Sequence, residues 1–194
     1  MVHQAGKRGP YRKSRERRQA ILQAALEAYA ESDAGGPTLR AIADKVGLSE
    51  TALLYYFRNR EELFVAIIEA RDQADRFLSQ EQTLEAADFK RLGALIARNA
   101  ETPGLVKLFL EQAIAAVNPG HPGHDFMRDR YAEFCRGLAD GLRQAKGLTA
   151  ERADWLGRLL IAAADGLQIQ WLYDPSLDMR RDLERLVDLA LESR

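Results

Sequence analysis

From Arg15 to the carboxyl end, apolar residues recur at helical spacing, and nowhere do they alternate in the two-residue rhythm of a half-buried strand. A chain of 194 residues patterned this way buries its apolar faces only by packing helix on helix, so the expected fold class is all-α, with about nine helices. Caps and breakers set the boundaries. Ser14 is placed to cap a first helix with Ile21, Ala25, Ala28 and Tyr29 on one face, and the run Asp33 to Pro37 ends it. Thr38 caps a short second helix whose apolar residues are Leu39, Ile42, Ala43 and Val46, and Gly47 stops it. Ser49 caps a third helix, Glu50 to Phe57, and Asn59 with Glu62 forms a capping box for a fourth that runs to about Leu78.

The second half repeats the pattern. A fifth helix is expected over residues 87–100, and Thr102-Pro103 opens a sixth. The loop Asn118 to His124 precedes a long seventh helix from about Asp125 to Lys146, stopped by Gly147. Thr149 caps an eighth that ends near Tyr173, and residues 174–178 separate it from a ninth.

Charge divides the chain. Residues 1–60 hold eleven Lys/Arg against six Asp/Glu, whereas the other 134 residues hold 17 against 23. A basic end suits a polyanion and an acidic remainder is repelled by one, so two jobs are expected: a basic arm and reading head over 1–60, and a second helical module over 61–194. The apolar runs fall far short of the ~20 residues that span a bilayer, and no apolar segment follows the basic amino end, so neither a membrane partner nor a secretory signal is expected. Cys135, the single cysteine, forms no internal disulfide, which suits a reducing cytoplasmic setting.

The most informative stretch is "TLRAIADKVGLSETALLYYFRNREELF", Thr38 to Phe64. Two short helices joined by a tight turn make the helix-turn-helix unit. Ala43 is small where the next helix crosses, Gly47 supplies the turn, and Leu48 and Leu53 fill the gap between the helices. The second helix of such a unit enters the major groove with its first residues, here Ser49, Glu50, Thr51 and Ala52, against base edges. The stretch closely resembles the DNA-binding head of the tetracycline-repressor (TetR) family of bacterial regulators. The residues in the family's motif places are Thr38, Ile42, Ala43, Gly47, Leu48, Ser49, Leu53, Tyr56, Phe57, Arg60, Glu61 or Glu62, and Leu63.

The resemblance implies double-stranded DNA as partner and assigns contacts. Thr38 and Arg60 match phosphate-binding positions, and Arg40 falls where a side chain reaches a base. Tyr55 and Tyr56 would offer hydroxyls to phosphates or edges to thymine methyls, with Tyr55 the better exposed and Tyr56 partly core. The sequence departs from the pattern at Leu54, where the family has a phosphate-contacting tyrosine, and at Glu50, often basic or small. The basic arm from Lys7 to Arg18, Lys13 within it, would compensate at phosphates or a flanking minor groove. Were Arg40 instead paired with Asp44 on a solvated face, it would contribute little.

The eighth helix is apolar around most of its circumference, which in a soluble chain calls for its own core on one side and a second copy on the other. Leu160, Ala163, Gly166, Leu167, Trp171, Leu183 and Val187 are the expected homodimer interface, a four-helix arrangement that the resemblance also implies. Two-fold symmetry would set the reading helices about 34–36 Å apart. The resemblance further implies an unknown small-molecule effector enclosed by helices four to eight. The expected walls are Phe64, Ile68, Phe109, Gln112, Met127, Tyr131, Phe134 and Trp155, and because polar handles such as Asn99, Gln112 and Tyr131 are few an apolar effector is favoured.

Enzymatic readings fit poorly. His121, His124 and Asp125 lie in a Pro/Gly loop without further close ligands, Cys135 sits on an amphipathic helix, and no phosphate loop follows a strand, so no metal, cofactor or catalytic residue is expected. The expected function is that of a repressing, ligand-released transcriptional regulator on a palindromic operator. The alternative is a dimeric helical interaction protein with lost or altered DNA specificity.

Overall fold

The computed structural model describes residues 10–80 and 88–192, and among these every regular element is helical. The helices are α1 (Pro10–Ala30), α2 (Leu39–Lys45), α3 (Glu50–Leu54), α4 (Arg60–Gln80), α5 (Asp88–Asn99), α6 (Pro103–Ala115), α7 (His124–Lys146), α8 (Ala150–Tyr173) and α9 (Met179–Glu192). None of them is long and apolar enough to cross a membrane.

The short helices end where local chemistry ends them. The hydroxyls of Thr38, Ser49 and Thr149 accept from the backbone N–H groups of Ala41, Ala52 and Arg152, at 3.1, 3.1 and 3.3 Å, and the Asn59 side-chain oxygen accepts from Glu62 N at 2.7 Å. Gly47 and Gly147 take φ of +65° and +64°, which an L side chain adopts only with strain. Two boundaries differ from the sequence expectation. α1 starts at Pro10, a residue suited to a first helical turn, so Ser14 lies inside the helix rather than capping it. α3 ends at Leu54, and the remaining residues to Phe57 form turns that swing the chain towards α4.

Two apolar clusters organise the packing. The first joins Ile21, Ala25, Ala28 and Tyr29 of α1 to Ile42 and Ala43 of α2, Leu53 and Phe57. It continues through Leu63, Ile67 and Ile68 of α4 to Leu105, Leu108 and Phe109 of α6. The head therefore shares its core with α4 and α6, and no gap falls at residue 60. The second cluster is built by α5, α7, α8 and α9 around Ile96, Leu138, Leu142, Leu156, Leu160, Trp171 and Leu183. α7 and α8 pack over most of their length. Their approach needs Gly157, where a Cβ would stand 2.9 Å from the Cys135 carbonyl oxygen.

Candidate functional site

The exposed end of the head is formed by α2, α3 and the turn after it. Ile42, Ala43, Leu53 and Phe57 point inward and are almost fully buried, which fixes the phase of both short helices. That phase leaves Thr38, Arg40, Ser49, Glu50, Thr51 and Arg60 exposed on the outside, with Ala52 and Tyr56 half-buried among them. Tyr55 is 87% exposed, a large aromatic standing in solvent with its ring edge-to-face on Tyr56. Arg40 stands 3.7 Å from Asp44 in a pair exposed on both sides, so the guanidinium remains open to a stronger acceptor. The Arg60 guanidinium lies 4.9 Å above the Phe64 ring, which orients it without neutralising it. Glu50 is also exposed, an acid at the first turn of α3.

The basic arm is largely helical. Arg17 donates to the Val46 carbonyl at 2.6 Å and so holds the end of α2, and Arg18 lies 4.7 Å over the Phe57 ring. Arg17 is thus engaged in holding the head, while Arg18 is oriented by its ring and remains exposed. Lys13, Arg15 and Arg12, the last paired with Glu16 at 3.0 Å, are exposed on the solvent side of α1. Lys7 and Arg8 lie outside the described residues.

A cavity of about 50 Å³ lies between α4, α5, α6, α7 and α8, enough for a few waters. Ile68, Phe109, Tyr131 and Phe134 line it, as expected; the other four expected walls do not. Phe64 and Met127 belong to the first core cluster, Gln112 is buried with its Oε1 lacking a partner, and Trp155 is 52% exposed on the opposite side of α8. Asn99, expected as a polar handle, lines it too; sequence reasoning missed the apolar Leu95, Ile96, Leu105, Ile161 and Ala164 and the polar Arg71, Asp72, Asp75, Arg130, Asp165 and Gln168. The expectation that polar handles are few is corrected accordingly.

These polar groups form a connected set. Arg130 makes two bonds to Asp72, 2.7 and 3.2 Å, and lies over two rings, Phe109 at 4.5 Å and Phe134 at 4.7 Å. Arg71 donates to Asn99 and, at 3.4 Å, to Thr102, and stands 3.9 Å from Asp75, which also pairs with Arg98. Asn99 in turn donates to Gln168 at 2.9 Å, tying α5 to α8. Tyr131 Oη donates to Asp165 at 2.8 Å. Burial pushes the Asp165 carboxyl above the usual carboxylate range, opposed by the Tyr131 hydrogen bond and by Arg130. The Tyr131 phenol is raised in turn, by burial first and then by the Asp165 charge.

The outer side of α8 is of another kind. Leu160, Trp171, Leu183 and Val187, expected at an interface between copies, are buried in the chain's own second core. Ala163, Gly166 and Leu167 are half-buried. The apolar residues that do face outward are Trp155, Leu159, Ala162, Ile169 and Tyr173, with Gly166 among them. Their steps of four and three residues describe a straight seam along the helix. A Cβ on Gly166 would meet nothing within 4 Å. On α9, Leu189 is also 63% exposed.

The residues considered for metal or nucleophilic chemistry serve the loop and the core. His121 Nδ1 accepts from Gly123 N at 3.1 Å, and His124 Nδ1 lies 2.8 Å from the Ala116 carbonyl oxygen, so both rings pin the α6–α7 connection. Burial raises the Cys135 thiol, which disfavours the thiolate that a nucleophile requires.

Comparison with known proteins agrees with this geometry. Residues 21–67 match the family model described as "Bacterial regulatory proteins, tetR family". The chain is 40% identical to the HTH-type transcriptional regulator RutR of Escherichia coli over 52 residues, which are 27% of this chain and 24% of RutR, so the match spans about a quarter of that relative. It is 26% identical to the HTH-type transcriptional regulator TtgR of Pseudomonas putida over 92% of this chain and 91% of that protein. The crystal structure of a TetR transcription regulator from Haloarcula marismortui shares the fold with a TM-score of 0.67, at 20% identity, over 92% of this chain and 98% of that one.

Proposed function

We propose that this chain, whose residues 21–67 match the TetR family of bacterial regulatory proteins, is a dimeric repressor that grips an inverted-repeat operator and releases it when a small molecule enters the cavity. The observation that carries the dimer reading is the seam on α8. A soluble monomer seldom leaves Trp155, Leu159, Ile169 and Tyr173 in solvent along one line, and the absence of a side chain at Gly166 suits close approach of a second helix. Isologous pairing of two α8–α9 faces would orient both heads to one side of the pair.

The head is then a positioning and reading device. Thr38, Arg60, Tyr55 and the α1 cations Lys13 and Arg15 meet phosphates, while Arg40 and the first residues of α3, Ser49 to Ala52, face bases. Tyr56, half-buried, supports Tyr55 and adds a ring edge. Glu50 selects against a closely approaching phosphate and in favour of a base donor such as the cytosine amine.

The cavity supports ligand control because α4 joins its wall to the head. Ile68, Arg71 and Asp72 line the cavity, while Leu63 and Ile67 of the same helix sit in the core of the reading head. A ligand that favours one position of α4 therefore favours one spacing of the two heads, and the coupling is reciprocal. Selection of bound sequences from random duplexes tests the reading directly. An enriched inverted repeat with half-sites one turn or a whole number of turns apart is expected. Enrichment of nothing, or of an unpaired half-site, would favour an interaction protein whose head no longer reads DNA. Deletion of the gene should raise transcription from the promoter that carries the enriched site; a fall would make the protein an activator.

A further inference from the structure

We propose that the cavity binds a small organic ammonium ion through Asp165, an inference that rests on reading the cavity as the effector site. The charges around the cavity are spoken for, with one exception. Arg130 is held by both oxygens of Asp72. Arg71 is held by Asn99, Thr102 and Asp75, and Asp75 is shared with Arg98. Asp165 receives one hydrogen bond, from Tyr131, and among the described residues no Lys, Arg or His stands within ion-pair distance of it. A carboxylate facing a cavity from the middle of an apolar helix, with one neutral donor and no cation in direct contact, the Arg130 charge reaching it only from beyond ion-pair distance while bonded to Asp72, is suited to a ligand that brings a positive charge of its own.

The walls favour the same class. Phe109 and Phe134 line the cavity and already hold the Arg130 guanidinium over their rings, so this wall is one that accommodates a cation. Tyr131 adds a third ring, tilted against Phe109 at 6.4 Å between centroids. Anions meet the reverse situation: Asp72, Asp75 and Asp165 line the space, and both arginines that line it are engaged. A neutral ligand fills the volume but leaves Asp165 uncompensated. The available space limits the occupant to an ammonium group with a short apolar body unless the surrounding helices part.

Calorimetric titration of the full-length protein with n-butylammonium, n-butanol and butyrate separates these classes at nearly constant shape. The ammonium ion should bind about tenfold or more tighter than the alcohol, the worth of one charge-assisted hydrogen bond, with butyrate weakest. Asp165→Asn keeps an acceptor for Tyr131 and removes the charge, and should bring the amine down to the alcohol's affinity while leaving the alcohol unchanged. Tyr131→Phe keeps the charge and should keep the preference. The inference is overturned if alcohol or butyrate binds as tightly as the amine, if none of the three binds, or if Asp165→Asn retains the preference. Amine binding that leaves the operator complex intact would overturn the effector reading while this inference stood. Release of the operator by the neutral or anionic probe would do the opposite.

Discussion

The head and the body of this protein treat charge in opposite ways. In the head, apolar side chains fill the interior and Arg40, Glu50 and Arg60 stand outside; Arg40 has an exposed acid beside it and Arg60 an aromatic ring. In the body, two arginines and three aspartates turn inward around a cavity: Arg130 pairs with Asp72, Arg71 with Asp75, and Asp165 takes the Tyr131 hydroxyl. Exposed charges contribute almost nothing to folding and are kept available for a partner outside. Buried ones are costly to desolvate and hold their places only as a set. The surface proposed to read a polyanion and the cavity proposed to take a small molecule are two solutions to placing charge, and one helix, α4, contributes to the core of the head and to the cavity wall.

The largest effect should come from breaking the inward set. Asp72→Ala leaves Arg130 buried between two rings without its carboxylate, and is expected to destabilise the fold by about 3–5 kcal/mol in denaturant titration. An effect below 1 kcal/mol would mean that water replaces the lost partner. Next, Leu53→Ala empties a fully buried site between α2 and α3 and should cost about 2–5 kcal/mol, read out as loss of operator binding together with a lowered melting temperature. Loss of stability with DNA affinity unchanged would separate the head's packing from its reading.

An intermediate effect belongs to the outer charges. Arg40→Ala should weaken operator binding by about 1–3 kcal/mol if it reads a base, and leave stability within about 0.5 kcal/mol because its Asp44 pair is exposed. Unchanged affinity would make Arg40 a solvated surface residue. Asp165 gives the smallest effect, with the opposite sign. Its folded pKa is raised, so the native state holds more protons than the unfolded one between the ordinary and the raised value, and stability falls as pH rises through that window. Asp165→Asn should therefore raise stability at pH 7, by about 1 kcal/mol or a 2–4 °C shift in melting temperature. It should do so while abolishing the amine preference, a trade of stability for function. A lower melting temperature would mean that the ionised carboxylate is stabilised by contacts beyond Tyr131.

Much of the head was legible because its signals are local. Thr38, Ser49, Asn59 and Gly47 each act on groups within a few residues, and Ile42, Ala43 and Leu53 are positioned by helical spacing alone. The α1 start misled for the same reason: Ser14 is a good cap, but nothing local forbids helix before it, and Pro10 begins one. The cavity was hidden because Arg71, Asp72 and Asp75 read as a solvated helical face until α5 and α7 are laid on them. One signal was present in the sequence. Asp165 and Gln168 stand three residues apart in the apolar run of α8, on a single face, and a polar pair there has to serve something inside. Leu160, Trp171, Leu183 and Val187, expected at an interface, lie on the inward phase instead, because a helix apolar all round offers no contrast by which to assign its faces. Only the packing of Leu160 and Trp171 into the second core reveals that the seam from Trp155 to Tyr173 points out.

In the proposed complex that seam holds two heads together while they sit on one duplex. Native mass spectrometry of the full-length protein on a single selected inverted repeat measures this directly. Two chains per duplex are expected, falling to a weakly bound single chain when Leu159→Asp places a charge in the seam. One wild-type chain per duplex at full affinity, or two chains unaffected by Leu159→Asp, would contradict it.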